Sequence, residues 1–229
     1  MNTHENHLVK LTADGTPTIQ SSLYDTEFHS MHGALTESLY VYLEKGLLHY
    51  LNVNPQPQIK VLEYGFGTGL NALLTAEAAH ENLSIQYHSL ELFPLSEDIY
   101  RNYGELLWKK DDLPYSKELF LKLHEADWEK DVAISPHFTL FKQKCDFKAY
   151  QPESTFDVVF YDAFGPGTQP ELWGEEIFKK IFLAMKSGGV LTTFCVQGAF
   201  RRMLSSLGFK WEKLPGPPGK REMLRVFRE

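Results

Sequence analysis

The sequence predicts an α/β fold built on a seven-stranded, mostly parallel sheet that closes with an antiparallel C-terminal hairpin. Three observations predict it. Short apolar runs of strand composition alternate with helix-like stretches from residue 59 onward. Three alternate glycines, Gly65, Gly67 and Gly69, stand where the first such run gives way to an apolar helix. Two strand-like runs, residues 209–214 and 223–227, flank the turn Pro215-Gly216-Pro217-Pro218-Gly219 at the end.

In chain order, the first twenty residues read as an extended polar lead-in with a turn over 12–17. A loop rich in hydrogen-bonding side chains follows, with Gly33 as hinge, and suits a lid over a substrate or cofactor. Leu35, Leu39, Val41, Tyr42, Leu43 and Leu47 give residues 34–50 a broad apolar helical face. After a turn at 52–57 come a strand at 59–62, a helix from Leu70 and a strand at 85–91, together one βαβ unit. A helix over about residues 95–107 leads into a less regular stretch. Residues 109–136 read as an insertion within a single domain spanning 1–229, with 1–52 as an N-terminal lid and helix extension. Strands follow at 137–142, 156–161 and 190–194. A helix over 171–185 with its exit turn at 186–189 joins the last two, and a helix over 198–207 precedes the hairpin.

At 229 residues the chain suffices for one sizeable core. Apolar residues at 43% and charged residues at 23% exclude disordered and collagen-like classes. No run of eighteen apolar residues occurs, and residues 1–7 lack a charged and then apolar leader, so a cytoplasmic protein without membrane contact is expected. Cys145 and Cys195 are too few and too far apart for a disulfide framework or a thiolate site. His29 and His32 form an H-x-x-H pair with no further ligands nearby, so no metal is expected. The net charge of −7 hides an asymmetry: residues 201–229 carry +5 and the remainder −12. Such a basic end suits a local phosphate-binding face, although a solvated tail has the same composition.

The chemistry concentrates at the predicted strand ends. Glycines at 65, 67 and 69 let a ligand approach the backbone, and the N–H groups of the following helix favour a carboxylate or phosphate. Glu63 ends the strand before them. Glu91 ends the next strand, where a carboxylate accepts hydrogen bonds from both ribose hydroxyls. Asp146 follows the third strand, where an Asx-turn would also place it. Asp162 ends the fourth, and in open α/β sheets ligands lie outside the carboxyl ends of the strands. Asp162 is therefore the expected catalytic residue.

The spacing E-x-G-x-G-x-G differs from the dinucleotide fingerprint and resembles motif I of S-adenosylmethionine-dependent methyltransferases of the Rossmann-like class I fold. The resemblance implies S-adenosyl-L-methionine as cofactor, held by Glu63, Gly65, Phe66, Gly67, Thr68, Gly69, Asn71, Glu91, Asp146 and Asp162. Further blocks at 21–30, 33–41, 63–71, 89–95, 162–173 and 216–224 resemble, in order, the methyltransferase domain of the MnmC family. That resemblance implies N-methylation of the 5-aminomethyl group of a wobble (2-thio)uridine in tRNA. It further implies a stand-alone form lacking the FAD-dependent oxidase domain of bifunctional members, with a separate oxidase or uridine-modifying enzyme supplying the amine. Substrate contacts are then expected from Tyr24, Asp25, Glu37, Phe164, Trp173, Arg201, Arg202, Lys220 and Arg221, the basic ones toward the tRNA anticodon region. Methylation of a small molecule or protein, aminopropyl transfer from the decarboxylated cofactor, and a non-catalytic cofactor-binding module share the cofactor motifs and stay open at this point.

Overall fold

The computed structural model describes residues 7–109, 113–152 and 155–229. The leader reading over residues 1–7 falls almost wholly outside them, as do residues 110–112 of the expected insertion. Apolar alternation becomes strand at β4 (Gln58–Tyr64), β5 (Ser84–Glu91), β7 (Phe138–Lys144), β8 (Phe156–Tyr161) and β9 (Met185–Thr193), which pair in parallel. The last two strands, β10 (Lys210–Pro215) and β11 (Glu222–Phe227), form the expected antiparallel hairpin, with β11 also antiparallel to β9.

Among the described residues the sheet has eight strands rather than seven. The extra one, β6 (Asp131–Ser135), pairs antiparallel with β7 at the edge, giving the order β10-β11-β9-β8-β4-β5-β7-β6. It comes from the stretch read as an irregular insertion, which also forms helix α5 (Lys117–Glu125). The charges of that stretch masked its alternation, because an edge strand needs only one buried face. The lead-in is likewise structured: β1 (Leu8–Leu11), β2 (Pro17–Ser21) and β3 (Thr26–Glu27) make a small antiparallel sheet. Asp14 ties it to the next helix, its Oδ2 accepting from Thr36 N at 3.0 Å and Thr36 Oγ1 at 2.8 Å.

That helix is continuous through α1 (Ala34–Glu37), a π-helical stretch Ser38–Leu48 and α2 (His49–Val53). Its buried positions are Ser38, Val41, Tyr42, Gly46 and Leu47, and the wider π turn leaves Leu39 and Leu43 only partly buried. At Gly46 a side-chain carbon would lie 3.0 Å from both Phe160 and Thr192, so the absence of one lets the helix press on β8 and β9.

Helix α3 (Leu70–Ala78) is buried along most of its length, and each enclosed leucine contributes about 2 kcal/mol. Helix α4 (Glu97–Leu107) stacks beside α5 through Tyr103 and Phe120. The expected helix over 171–185 splits into a 3-10 turn Pro170–Trp173 and α6 (Glu175–Ala184), since Gly174 interrupts it. The expected exit turn at 186–189 is drawn into β9, whose register against β8 shifts there. Helix α7 (Gly198–Ser206) completes the outer layer. The two apolar clusters lie on opposite faces of the sheet, one beneath α3, α4, α5 and the π-helical stretch, the other beneath α6 and α7. Among the described residues no helix is long and apolar enough to cross a membrane.

Candidate active site

Strands β4 and β8 are neighbours at the point where the chain order reverses, so the loops after them face each other across a crevice. Gly65, Gly67 and Gly69 all take positive φ (101°, 50° and 72°), which lets the chain turn from β4 into α3 within five residues. Gly65 N and Phe66 N both donate to Leu90 O, at 3.0 and 3.2 Å. A Cβ at position 65 would lie 2.9 Å from Asp162 O, so only glycine allows the two loops this close.

A cavity of about 210 Å³ opens over this crevice. Of the residues expected to hold a cofactor, Gly65, Phe66, Gly67, Thr68, Asn71, Glu91, Asp146 and Asp162 line it. Gly69 caps α3 just behind, and Glu63 is fully buried beneath the loop, outside the lining. Glu91 is braced by the backbone, accepting from Gly67 N at 3.0 Å and Phe93 N at 2.9 Å. Asp146 forms an Asx-turn with Lys148 N, 2.8 Å away, and still faces the cavity.

Asp162 sits on the cavity wall, held through both oxygens. Tyr42 Oη donates to Oδ1 at 2.6 Å, and Asn71 Nδ2 donates to Oδ2 at 2.9 Å. Burial raises its pKa to about 6. The hydrogen bonds from Tyr42 and Asn71 and the charge of Lys220 oppose that rise, while the charge of Glu37 adds to it. Tyr42 read in sequence as one more apolar helix position. Nothing local distinguishes it, because its hydroxyl reaches an aspartate 120 residues away.

The N-terminal sheet roofs the cavity. Tyr24 and Phe28 line it and pack against Phe164, with ring centroids 5.2 and 5.3 Å apart. His29 also lines it. Its Nδ1 lies 3.1 Å from Thr18 Oγ1 and its Nε2 lies 3.3 Å from Thr68 Oγ1, and burial pushes its pKa down to about 4. The ring is therefore neutral and joins roof to loop. A second histidine, His124 on α5, meets Thr68 O through Nε2 at 3.0 Å and stacks on Tyr100 at 4.4 Å. Burial lowers its pKa to about 3, so a neutral Nε2–H donates to that carbonyl. Lys142 reinforces this support, donating to Leu123 O and His124 O and lying 5.2 Å from the Phe66 ring centre. The insertion thus backs the glycine loop, a task its sequence did not disclose.

Other expected substrate residues fall away from the cavity. Asp25 is exposed in the turn between β2 and β3, accepting from Gln20 at 3.2 Å. Glu37 is buried and accepts from Ser30 N at 2.8 Å and from Lys220. Lys220, expected on phosphate, is committed to that pair and lies 4.0 Å from the Phe194 ring centre. Trp173 packs on Tyr161, Phe178 and Phe200 and donates to Phe164 O at 2.8 Å, which makes it core rather than a seat for a base. Arg201 stacks on Trp211 and donates to Val196 O at 3.2 Å. Arg202 and Arg221 are exposed.

Residues 91–229 match the family described as S-adenosyl-L-methionine-dependent methyltransferase, which is more than half of the chain. The chain belongs to this family. The tRNA 5-methylaminomethyl-2-thiouridine biosynthesis bifunctional proteins MnmC of Leptospira interrogans and Pseudomonas fluorescens are each 30% identical to the methyltransferase, over 89% and 90% of its length. It spans 33% and 32% of theirs, about a third of these relatives. Among solved structures, MNMC2 from Aquifex aeolicus aligns over 99% of this chain and 72% of its own, with a TM-score of 0.74 at 23% identity. A spermidine synthase from Thermotoga maritima aligns over 99% and 70%, with a TM-score of 0.59 at 14% identity. Both likenesses are of fold.

Proposed function

We propose that this methyltransferase N-methylates the 5-aminomethyl group of a wobble (2-thio)uridine in tRNA, giving the 5-methylaminomethyl nucleoside. The observation that carries the reading is the Asp162 carboxylate, held by Tyr42 and Asn71 at the wall of the glycine-loop cavity, where an amine acceptor needs a partner. The names of the MnmC relatives support the choice of acceptor.

The residues present fit S-adenosyl-L-methionine. The positive-φ glycines carry no side chain into the space for its amino-acid end, Glu91 faces the cavity where ribose hydroxyls would lie, and Asp146 also lines it for the adenine. When bound, the cofactor supplies an electrophilic sulfonium methyl. An alkylamine resembling lysine, with a reference pKa of about 10, must lose a proton before its lone pair attacks. Asp162 accepts a hydrogen bond from the ammonium, orients the nitrogen and passes the proton toward water. Raising Asp162 to about 6 narrows the mismatch with such an amine to about four pH units.

In this reading Tyr24 and Phe164 flank the base. Arg202 and Arg221 meet phosphates around the anticodon, and Arg201 and Lys220 hold the surface that carries them. The chain acts as one domain in the cytoplasm, roofed by its N-terminal sheet, on an amine that a separate oxidase or uridine-modifying enzyme provides. Incubation of aminomethylated tRNA with methyl-labelled cofactor, followed by mass spectrometry of the nucleosides, tests this. Label is expected in 5-methylaminomethyl uridine, and label confined to any other nucleoside, or only to non-RNA acceptors, refutes it.

A further inference from the structure

Strand β4 carries a carboxyl that is in no ion pair among the described residues. Glu63 is fully buried, and Ser89 Oγ donates to its Oε2 at 2.5 Å. Its Oε1 has no hydrogen-bond partner among the described residues. Asn71 on α3 and Tyr87 on β5 face this carboxyl, and each contributes an orphaned oxygen of its own, Asn71 Oδ1 and Tyr87 Oη. Asp162 after β8 and Tyr42 on the π-helical stretch also act on it, and neither is positive.

Burial without a compensating charge decides the protonation state. One N–H of the Asn71 amide is committed to Asp162 Oδ2. If Glu63 were ionised, its charge would be fully buried with the Ser89 hydroxyl as its one hydrogen-bond partner among the described residues, and a second negative charge would lie near Asp162. A proton on Glu63 removes that charge and supplies a donor for the orphaned Asn71 Oδ1. We infer that Glu63 is held as a neutral acid and serves as a positioning residue, completing the hydrogen bonds that keep the Asn71 amide on Asp162. Burial drives its pKa up to about 8, consistent with that assignment. The acid of the glycine motif then acts from behind the loop through Asn71, and Asp162 holds the site's negative charge.

Equilibrium urea unfolding of the wild type and of Glu63→Gln across neutral pH reads the proton directly. A carboxyl that stays protonated in the native state and ionises on unfolding makes the wild-type unfolding constant rise about tenfold per pH unit relative to Glu63→Gln, between roughly pH 5 and 8. A ratio that does not change with pH, or that runs the other way, overturns the inference. The positioning role rests on the proposed methyl transfer and is read by rescue. Glu63→Gln, which keeps a donor, retains turnover that the similarly sized Glu63→Met loses, and the alkaline fall in wild-type turnover above about pH 8 is absent in Glu63→Gln. Equal losses in the two variants overturn that role. Failure of the wild type to methylate tRNA counts against the proposed reaction alone, because the unfolding ratio needs no substrate.

Discussion

Strand β8 has an aspartate near each end, and the two are treated in opposite ways. Asp157, at the end of β8 away from the cavity, is fully buried and saturated. It accepts from Tyr50 Oη at 2.8 Å, Gln56 Nε2 at 3.0 Å and Lys60 N at 2.7 Å, and Lys186 Nζ lies 2.8 and 2.9 Å from its two oxygens. Burial would raise its pKa, but these partners outweigh burial and hold the pKa below the ordinary value. Asp162, just past the other end, has two neutral donors and no ion pair among the described residues, and its pKa goes up. A carboxylate whose lone pairs are spent anchors the fold, and one with capacity to spare beside a cavity is available for chemistry.

The largest expected effect breaks this contrast at its active end. Asp162→Asn should lower methyl transfer by about 10²- to 10⁴-fold while leaving affinity for S-adenosylhomocysteine within a few-fold. Calorimetry beside single-turnover rates checks this, and a matching loss of cofactor affinity would place Asp162 among the cofactor's ligands instead. Asp157→Asn should do the reverse, costing about 2 kcal/mol in urea unfolding by removing the acceptor for a lysine and a backbone N–H, with turnover of the remaining folded enzyme preserved.

A smaller effect sharpens the account of Asp162. Tyr42→Phe removes one of its two donors, so turnover should fall roughly tenfold and the acidic limb of the kcat profile, expected near pH 6, should move upward by about one unit. A limb that stays in place would mean that another group sets it. Stability should separate the two aspartates by sign. With its folded pKa raised, Asp162 binds a proton that the unfolded chain has released, so its contribution is full below the ordinary value of 3.8 and is lost as pH rises to about 6. With its pKa depressed, Asp157 contributes above 3.8 and loses that contribution as pH falls through its lower folded value. Comparing the pH dependence of unfolding in Asp162→Asn and Asp157→Asn reads the two slopes.

The smallest effect lies farthest from β8. Arg202→Ala should weaken tRNA binding slightly and reduce the slope of log affinity against log salt by about 1. An unchanged slope removes Arg202 from the phosphate contacts.

Local signals were the legible ones. The glycine spacing, the strand-end acids Glu91 and Asp162, and the closing hairpin each depend on a few adjacent residues, and each appears where it was read. The edge strand β6 was hidden by its charges, and the π-helical phase was hidden because apolar residues on both candidate faces fit an α period. The basic C-terminal segment misled in part, since charge alone does not reveal that Lys220 is matched by a glutamate 183 positions earlier.

The sequence by itself determined the sheet's parallel core, the loop that turns out of β4 and which acids sit at strand ends, because backbone conformation and strand period are properties of neighbouring residues. Tertiary structure alone decided which of those acids faces the cavity and which lies behind it. It also decided that Tyr42 and Asn71 grip Asp162, and that His29 and His124 clasp the glycine loop from two sides. Those outcomes depend on burial and on partners brought together across the chain, and desolvation and hydrogen-bond supply have no representation in a linear pattern.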